Sequence, residues 1–563
     1  MSQRKLVTTA RGRPFVVLGD ASVTTMDRLA IIEQRLDADP RIATVSVVPH
    51  THPGTEFMRA TSPAGVAVAV SCDLSDLVGE LSADATAEEL TTWARRASER
   101  GMWHDWWLTP SRDVARASEL LAPSDLDLAE AGDLASSHFV ATGDRRADLD
   151  ALTITVDVTW LGPHQTGAQV LTTAAIEALA RHESVGQLQL IGVDELPAYA
   201  AHLIDLDKVD LINAPQEIQA SDVVWYPNQV DQRVDIAAAR TLGRRVITTY
   251  LDLIAYDIPQ YHASPEAWAA YRALQRRISL TVDGITTISA DVADRLLMEV
   301  PRLDPTRVQP IALGLDHIKP GNVGPDSDIN AVRDQLGTRP FVLVLGNDFQ
   351  HKNRDFALRV WEQVLQAGVN CDLVLVGLHV KSSSSRESET TILAQHTNLR
   401  GKAHTLGHVS EASRGWLLGN AAAVLYPTSA EGFGFVPYEA AALGTPSTFT
   451  SFGPLAELAG VADAPRTWSV QSHAKDLHSL LTDPEAARER VDHLRSRIAE
   501  LTWDGFARQL VDFMLRIDQL PPAEGALVGG AGGDTAALAS ILSSRTWRAT
   551  APLRRLGRRI GRS

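Results

Sequence analysis

Glu431 and Glu439 bracket the run Glu431-Gly-Phe-Gly-Phe-Val-Pro-Tyr-Glu439, so two carboxylates stand eight residues apart, with two glycines after the first. The preceding 423–426, Ala-Val-Leu-Tyr, reads as a short buried strand. The apolar, alanine-rich 438–443 reads as helix ending at Gly444. The order is strand, loop, carboxylate, glycine turn, and a helix that carries the second carboxylate. The first turn of a helix leaves backbone N–H groups without intrahelical partners, and these favour a phosphate. Carboxylates beside such a turn can accept hydrogen bonds from sugar or ribose hydroxyls. A surface turn with two solvated acids is the alternative, and the surrounding elements decide between them.

Four segments surround this run. Residues 1–150 form an α/β unit with strands expected over 15–18 and 42–48, ending in an Ala/Asp-rich stretch, 131–150, that can hold a linker. Residues 151–325 open with a strand over 152–158. The polar loop Gly162-Pro-His-Gln-Thr-Gly167 then leads into a helix over 169–180, and strands are expected over 188–191, 222–226, 245–249, 284–288 and 308–311. Residues 326–516 repeat the alternation, with strands over 341–345 and 371–376. Between them Asn353 can cap a helix whose Phe356, Ala357, Val360, Trp361, Val364 and Leu365 recur at helical spacing, with Gly368 past its end. Residues 517–563 are a flexible linker and a basic tail. Strand–helix alternation argues for parallel sheets, whose ligands bind beyond the carboxyl ends of the strands.

Several short motifs then fall in one order. Gly346-Asn-Asp-Phe-Gln-His-Lys-Asn353 follows a strand and opens a helix; Ile311-Ala-Leu-Gly314-Leu-Asp316 precedes it; Leu406-Gly407-His408-Val409 ends a strand; Leu501-Thr-Trp503 comes last; and Ser289 follows Ile285-Thr-Thr-Ile288. Together with the paired glutamates they resemble the retaining glycosyltransferases of the GT-B fold, family 4 (glycosyltransferase group 1), over about residues 153–516. The resemblance implies an α/β protein with two Rossmann-like parallel-sheet domains, 151–325 on the acceptor side and 326–516 on the donor side, plus the N-terminal accessory domain and the basic C-terminal tail.

What it implies about residues is specific. Lys352 contacts the donor diphosphate, where a cation stabilises the charge that develops as the glycosidic bond breaks. Glu431 holds donor-sugar hydroxyls at the turn of Gly432, Phe433, Gly434 and Phe435, and Glu439 holds the ribose hydroxyls. Gly346, Asn347, His351, Gly407 and His408 complete the donor-binding set, with Glu431 and Lys352 as the catalytic pair. On the acceptor side stand His164, Thr166, Gly167 and Asp252, the last in Thr249-Tyr-Leu-Asp252-Leu. The chain departs from the family at Asn347, where many relatives carry arginine, leaving His351 or another basic residue to compensate. It departs again at Leu251, where the family has a histidine that contacts the donor sugar.

The first 150 residues faintly resemble a degenerate GT-A-type, family 2 segment, in Phe15-Val-Val-Leu-Gly-Asp20, Met26-Asp-Arg-Leu29 and Arg100-Gly-Met-Trp-His104. Asp20-Ala-Ser22 lacks the second acid of a D-x-D pair. An unrelated, non-catalytic α/β domain is the alternative.

Bulk properties narrow the class. A net charge of -16 argues against a nucleic-acid binder. Two cysteines, Cys72 and Cys371, far apart, imply neither a disulfide framework nor a zinc site and fit a reducing cytoplasm. No metal site and no cofactor is expected, the nucleotide sugar being a substrate. No signal peptide and no run of about 18 apolar residues is found. From 541 to 563 there are seven arginines and no acid, interleaved with Trp547, Leu553, Leu556 and Ile560. That pattern suits an amphipathic segment on an anionic membrane surface, or else a basic end that only solubilises. The expectation is a metal-independent retaining hexosyltransferase acting on a cell-surface glycan or lipid-linked acceptor, cytoplasmic and peripheral to the membrane. A non-catalytic glycan-binding scaffold of GT-B descent and a GT-B sugar-nucleotide epimerase are the rivals.

Overall fold

A computed structural model describes residues 5–8, 14–19, 26–50, 56–60, 62–64, 67–82, 85–110, 151–163, 165–213, 218–230, 236–317, 330–461 and 464–523. Asp20, His164 and the arginine-rich 541–563 lie outside the described residues, as does the expected linker over 131–150.

Three sheets organise the chain. The first contains β1 (Lys5–Thr8), β2 (Pro14–Gly19), β3 (Ile42–His50), β4 (Glu56–Ala60), β5 (Ala67–Ser71) and β6 (Trp103–Pro110), in the order β1-β2-β5-β3-β6-β4. Its pairings are antiparallel except β3 with β6. The helix Ala87–Glu99 leads into β6. Its Thr86 and Glu89 form a reciprocal capping box, and its buried Leu90, Trp93, Ala94 and Ala97 follow the 3.6-residue period. The chain leaves this helix through Arg100 and Gly101, the latter at φ +76°.

The second sheet holds β7 (Leu152–Asp157), β8 (Val185–Ile191), β9 (Val209–Leu211), β10 (Ser221–Tyr226), β11 (Gly243–Tyr250), β12 (Gly284–Thr287) and β13 (Val308–Pro310), in the order β13-β12-β11-β10-β7-β8-β9. The third holds β14 (Phe341–Leu345), β15 (Asp372–Val376), β16 (Ala403–Leu406), β17 (Ala423–Tyr426) and β18 (Ser447–Phe449), in the order β16-β15-β14-β17-β18. All pairings in both are parallel. Strands such as Phe-Val-Leu-Val-Leu in β14 are buried at every position, as parallel strands covered on both faces must be. This is the pair of Rossmann-like α/β domains the sequence implies. Three strands, β9, β13 and β18, are only three residues long, and of these the sequence signals β13 alone.

Strand order reverses between β7 and β10 in one sheet and between β14 and β17 in the other. A crevice opens beyond the carboxyl ends of the strands at each such switch point. The loop after β14 carries Lys352, and the loop after β17 carries Glu431.

Two crossings join the halves side by side. Leu315 N–H donates to the Leu501 carbonyl at 2.8 Å, and Trp503 N–H donates to Asp316 Oδ1 at 2.9 Å. An added Cβ on Gly314 would lie 2.4 Å from the Trp503 nitrogen, so the close approach requires glycine there. The helix Trp503–Gln519 then returns to the second sheet: Arg245 donates to the Ile517 and Leu520 carbonyls, and a Cβ on Gly284 would meet Phe513 and Ile517 at 2.9 Å. This helix, the last among the described residues, thus packs on the second sheet.

Candidate active site

Gly346 ends β14 at φ +139°, and Gly377 ends β15 at φ +148°. The two lie back to back: a Cβ on Gly377 would sit 2.1 Å from the Gly346 carbonyl oxygen. The stem of Lys352 runs along Gly346, with Cδ 3.5 Å from where a Cβ would be. Its Nζ reaches Glu431 Oε1 at 2.5 Å and lies 5.7 Å from the Tyr426 ring centroid. The same carboxylate oxygen accepts the Tyr426 hydroxyl at 2.5 Å. Burial, and next the Glu431 charge, push the Tyr426 hydroxyl well above the ordinary phenol range, so it stays a donor.

Gly432 lies against the opposite half. Its carbonyl accepts the Ser289 hydroxyl at 2.7 Å, and an added Cβ would fall 1.6 Å from the Leu251 carbonyl oxygen and 3.1 Å from Asp252 Cβ. Asp252 accepts the Ile254 N–H at 2.8 Å. Burial raises its carboxyl above the usual range, the Glu431 carboxylate adds to the rise, and the Ile254 N–H and Lys352 oppose it. The structure therefore brings Asp252, just past the end of β11 in the second sheet, into the field of the Lys352–Glu431 pair.

Gly434 at φ +82° turns the chain into the helix Phe435–Leu443, which ends at Gly444, φ +94°. Phe433 is buried against Phe435 and Tyr438, with ring centroids 5.0 and 5.9 Å away. Phe435 faces the other half: its ring carbons lie 3.6 Å from where a Gly167 Cβ would be, and His317 meets it edge-on. Gly167 starts the helix Gly167–Arg181, two residues earlier than the apolar pattern suggests, because Thr166 and Gln169 form a capping box ahead of it. One helical turn into Phe435–Leu443, the buried Glu439 pairs with Arg414 of the helix Glu411–Asn420. Arg414 is held charged by that carboxylate, against the opposing effect of burial.

The other expected donor residues are placed less uniformly. Asn347 accepts the Leu378 N–H at 2.9 Å, a brace between adjacent strand-end loops. Gly407 and His408 are exposed past β16, where the Gly407 carbonyl accepts the Gly377 N–H at 3.2 Å. His351 cannot supply the charge missing at Asn347. It is buried beneath Tyr261, whose hydroxyl lies 2.6 Å from Nδ1, and stacks on Phe349. Burial, with Lys352 adjacent, holds its imidazole neutral, well below the ordinary range.

Asn353 takes the expected N-cap position of the helix Arg354–Gln366, but its side chain does not cap it. It adopts φ +52° and makes no side-chain cap hydrogen bond. Its buried amide instead donates to the Pro427 carbonyl at 2.8 Å and to Ser429 Oγ at 3.0 Å, tying the Lys352 loop to the Glu431 loop. Tyr426, Arg414 and Ser289–Gly432 were not legible as site contacts. Tyr426, as the last residue of the strand before Glu431, and Ser289 and Gly432, as motif residues, had local signals; Arg414 had none.

Among the described residues no three His, Cys, Asp or Glu side chains converge as a metal site. The chemistry on offer is a cation beside a carboxylate, a helix N-terminus at a switch point, and a second carboxylate one turn along.

Residues 327–497 match the family model of the glycosyl transferases group 1. The glycogen synthases of two Mycobacterium tuberculosis strains, CDC 1551 / Oshkosh and ATCC 25618 / H37Rv, are each 36% identical over 108 residues, 18% of this chain. The chain spans about a quarter of the length of these curated relatives, 26%. Among solved structures, Anabaena Alr3699/HepE in complex with UDP and glucose is similar at 16% identity and a TM-score of 0.46, covering 65% of this chain and 99% of that one. Sucrose-phosphate synthase from Thermosynechococcus elongatus is similar at 16% identity and 0.48, with the same coverage.

Proposed function

We propose that the protein is a retaining glycosyltransferase of family 4 that moves a hexose from a nucleoside-diphosphate sugar to a hydroxyl of a cell-surface glycan or lipid-linked acceptor. The observation that carries this reading is the Lys352–Glu431 pair at a switch point, inside the segment that matches the glycosyl transferases group 1.

The proposed roles follow the chemistry of each group. The diphosphate lies at the N-terminus of the helix Phe435–Leu443, where unpaired N–H groups favour it. Lys352 gives it positive charge, which requires the ammonium to turn from Glu431 toward the phosphates. Glu431 then accepts hydrogen bonds from donor-sugar hydroxyls, and Glu439 from the ribose. The bond from the anomeric carbon to the diphosphate breaks, its electron pair staying on the phosphate oxygen. The acceptor oxygen bonds to that carbon on the same face and passes its proton to the departing diphosphate. Stabilising the leaving group's charge is where Lys352 and the helix end assist the transition state. Asp252, beside the pair, borders the acceptor side.

Residues 1–150 are read as a non-catalytic accessory domain. The arginines of 541–563 are read as an anchor to an anionic inner membrane face, each contributing about 1 kcal/mol near the surface. No helix among the described residues is long and apolar enough to cross a membrane.

The test is calorimetric titration of the purified chain with a panel of nucleotide sugars, followed by product analysis with and without acceptor. Binding and transfer with retained anomeric configuration support the reading. Donor conversion without acceptor indicates an epimerase, and binding without turnover indicates a scaffold.

A further inference from the structure

The first domain reaches the base of both site loops through two adjacent residues. The Arg100 guanidinium, buried, donates to Asp355 Oδ1 at 2.7 Å and Oδ2 at 2.5 Å, to Asn353 Oδ1 at 2.9 Å and to the Gln350 carbonyl at 3.2 Å. Gln350 and Asn353 flank Lys352 on the loop after β14, and Asp355 stands in the first turn of the helix that follows. The Arg100 carbonyl accepts the Ser429 hydroxyl, and Ser429 stands two residues before Glu431 on the loop after β17. Gly101, at φ +76°, lets the backbone lie so close that an added Cβ would meet Ala430 Cβ at 3.1 Å and Ile258 Cδ1 at 3.5 Å. Donor loop, carboxylate loop and acceptor half therefore converge on one dipeptide.

The electrostatics make the contact directional. Burial alone would raise the Asp355 carboxyl, yet the Arg100 guanidinium holds it below its usual range. Arg359 also acts on Asp355 through its charge, but a buried carboxylate that loses a bidentate guanidinium partner must shed charge, draw in water or move. Asp355 and Asn353 begin the helix Arg354–Gln366, so movement there carries Lys352 with it. Nearby, Arg41 repeats the arrangement: it pairs with Asp291 of the acceptor half at 2.6 Å and lies 5.2 Å from the Phe452 ring centroid of the donor half.

We propose that Arg100, with Gly101, is a positioning residue: a staple from the first domain that sets Lys352 against Glu431 and so tunes capture of the nucleoside diphosphate. The proposal rests on the glycosyltransferase reading for its functional consequence, but the staple itself is a property of the loops.

The test uses the full chain with Arg100→Ala, Arg100→Lys and Asp355→Asn, read by amide hydrogen exchange and by donor kinetics. Exchange over 346–353 and 427–432 should quicken about tenfold in Arg100→Ala while the core of β10 and β11 keeps its protection. Arg100→Lys, which keeps the charge but lacks the planar fork that grips both Asp355 oxygens, should fall between. Uridine diphosphate, or whichever nucleoside diphosphate the panel selects, should bind about tenfold more weakly to Arg100→Ala. The donor KM should rise more than kcat falls.

A purely structural role would lower the unfolding midpoint and leave exchange in the two loops in step with the rest of the chain. That result, or unchanged loop exchange in all three variants, overturns the staple. If Arg100→Ala does not fold, Arg100→Lys and Asp355→Asn carry the same comparison. If the wild-type chain binds no nucleotide, the transferase reading falls, while the exchange data still decide the staple.

Discussion

Lys352 Nζ and Glu431 Oε1 lie 2.5 Å apart, although 79 residues separate them in the chain. Without a donor the ammonium is neutralised by the carboxylate that is proposed to hold the sugar. Donor binding must therefore break one ion pair and replace it with contacts to phosphate and to sugar hydroxyls.

That exchange separates the two residues experimentally. Lys352→Ala should weaken nucleoside diphosphate binding by about 1.5–3 kcal/mol, the range for a hydrogen bond to a charged group. Glu431→Gln should cut turnover strongly yet leave nucleoside diphosphate affinity intact or tighter, because Lys352 is released from its partner. Calorimetry and steady-state kinetics on both variants check this. Equal losses of nucleotide affinity in the two would refute the division of roles.

Gly432 is tested by adding one methyl group. Gly432→Ala places a Cβ where the Leu251 carbonyl oxygen stands. The two halves must separate locally or the turn must distort, at about 1–3 kcal/mol for overpacking. The unfolding free energy should fall by that amount and sugar transfer should drop with it. Wild-type stability and rate together would mean the halves do not meet as described.

Arg414→Ala removes the partner of Glu439. If Glu439 binds ribose, its carboxylate becomes free to rotate, and nucleotide affinity should fall several-fold, the scale of about 1 kcal/mol for a part-exposed pair. A nucleoside and its 2′,3′-dideoxy analogue should then bind almost alike to the variant while differing in the wild type.

Buried histidines set a pH limit on stability, His351 among them together with His104 and His473. His104 bonds to Thr44 and Ser98, and His473 to Thr450 and the Ser469 carbonyl; burial lowers each imidazole to about 4. The unfolded chain takes up these protons near pH 6.5, the folded chain only near 4. Stability is therefore full above about pH 6.5 and falls as pH drops toward 4, by roughly 2 kcal/mol per histidine at pH 5. Urea unfolding at pH 7 and pH 5 measures the loss, and His473→Gln should reduce the pH dependence. An equal dependence in that variant would remove His473 from the explanation.

The tail is tested by deletion. Removing 541–563 should abolish sedimentation with anionic liposomes at low salt and spare transfer to a soluble acceptor. The attraction in the intact chain should weaken as salt screens it. Equal sedimentation of both chains would leave the arginines as a solvated end.

Local order was written in the chain and could be read there. The strand β14, its following Gly346, the carboxylates Glu431 and Glu439 and the closing Gly444 are signalled within windows of five to fifteen residues, because hydrophobic period and glycine turns act over that range. Partnership was decided only by the tertiary structure. Arg414 meets Glu439 from another helix 25 residues away, and Arg100 meets Asp355 across 255 residues. Asn353 has the residue type of a helix cap, yet its amide is spent on Pro427 and Ser429, which the loop after β17 brings against it. His351 has the type of a phosphate ligand, yet Tyr261 covers it and burial keeps it neutral. A residue's type limits the contacts it can make. Which contact it makes depends on the elements folded against it, and those lie tens to hundreds of residues away.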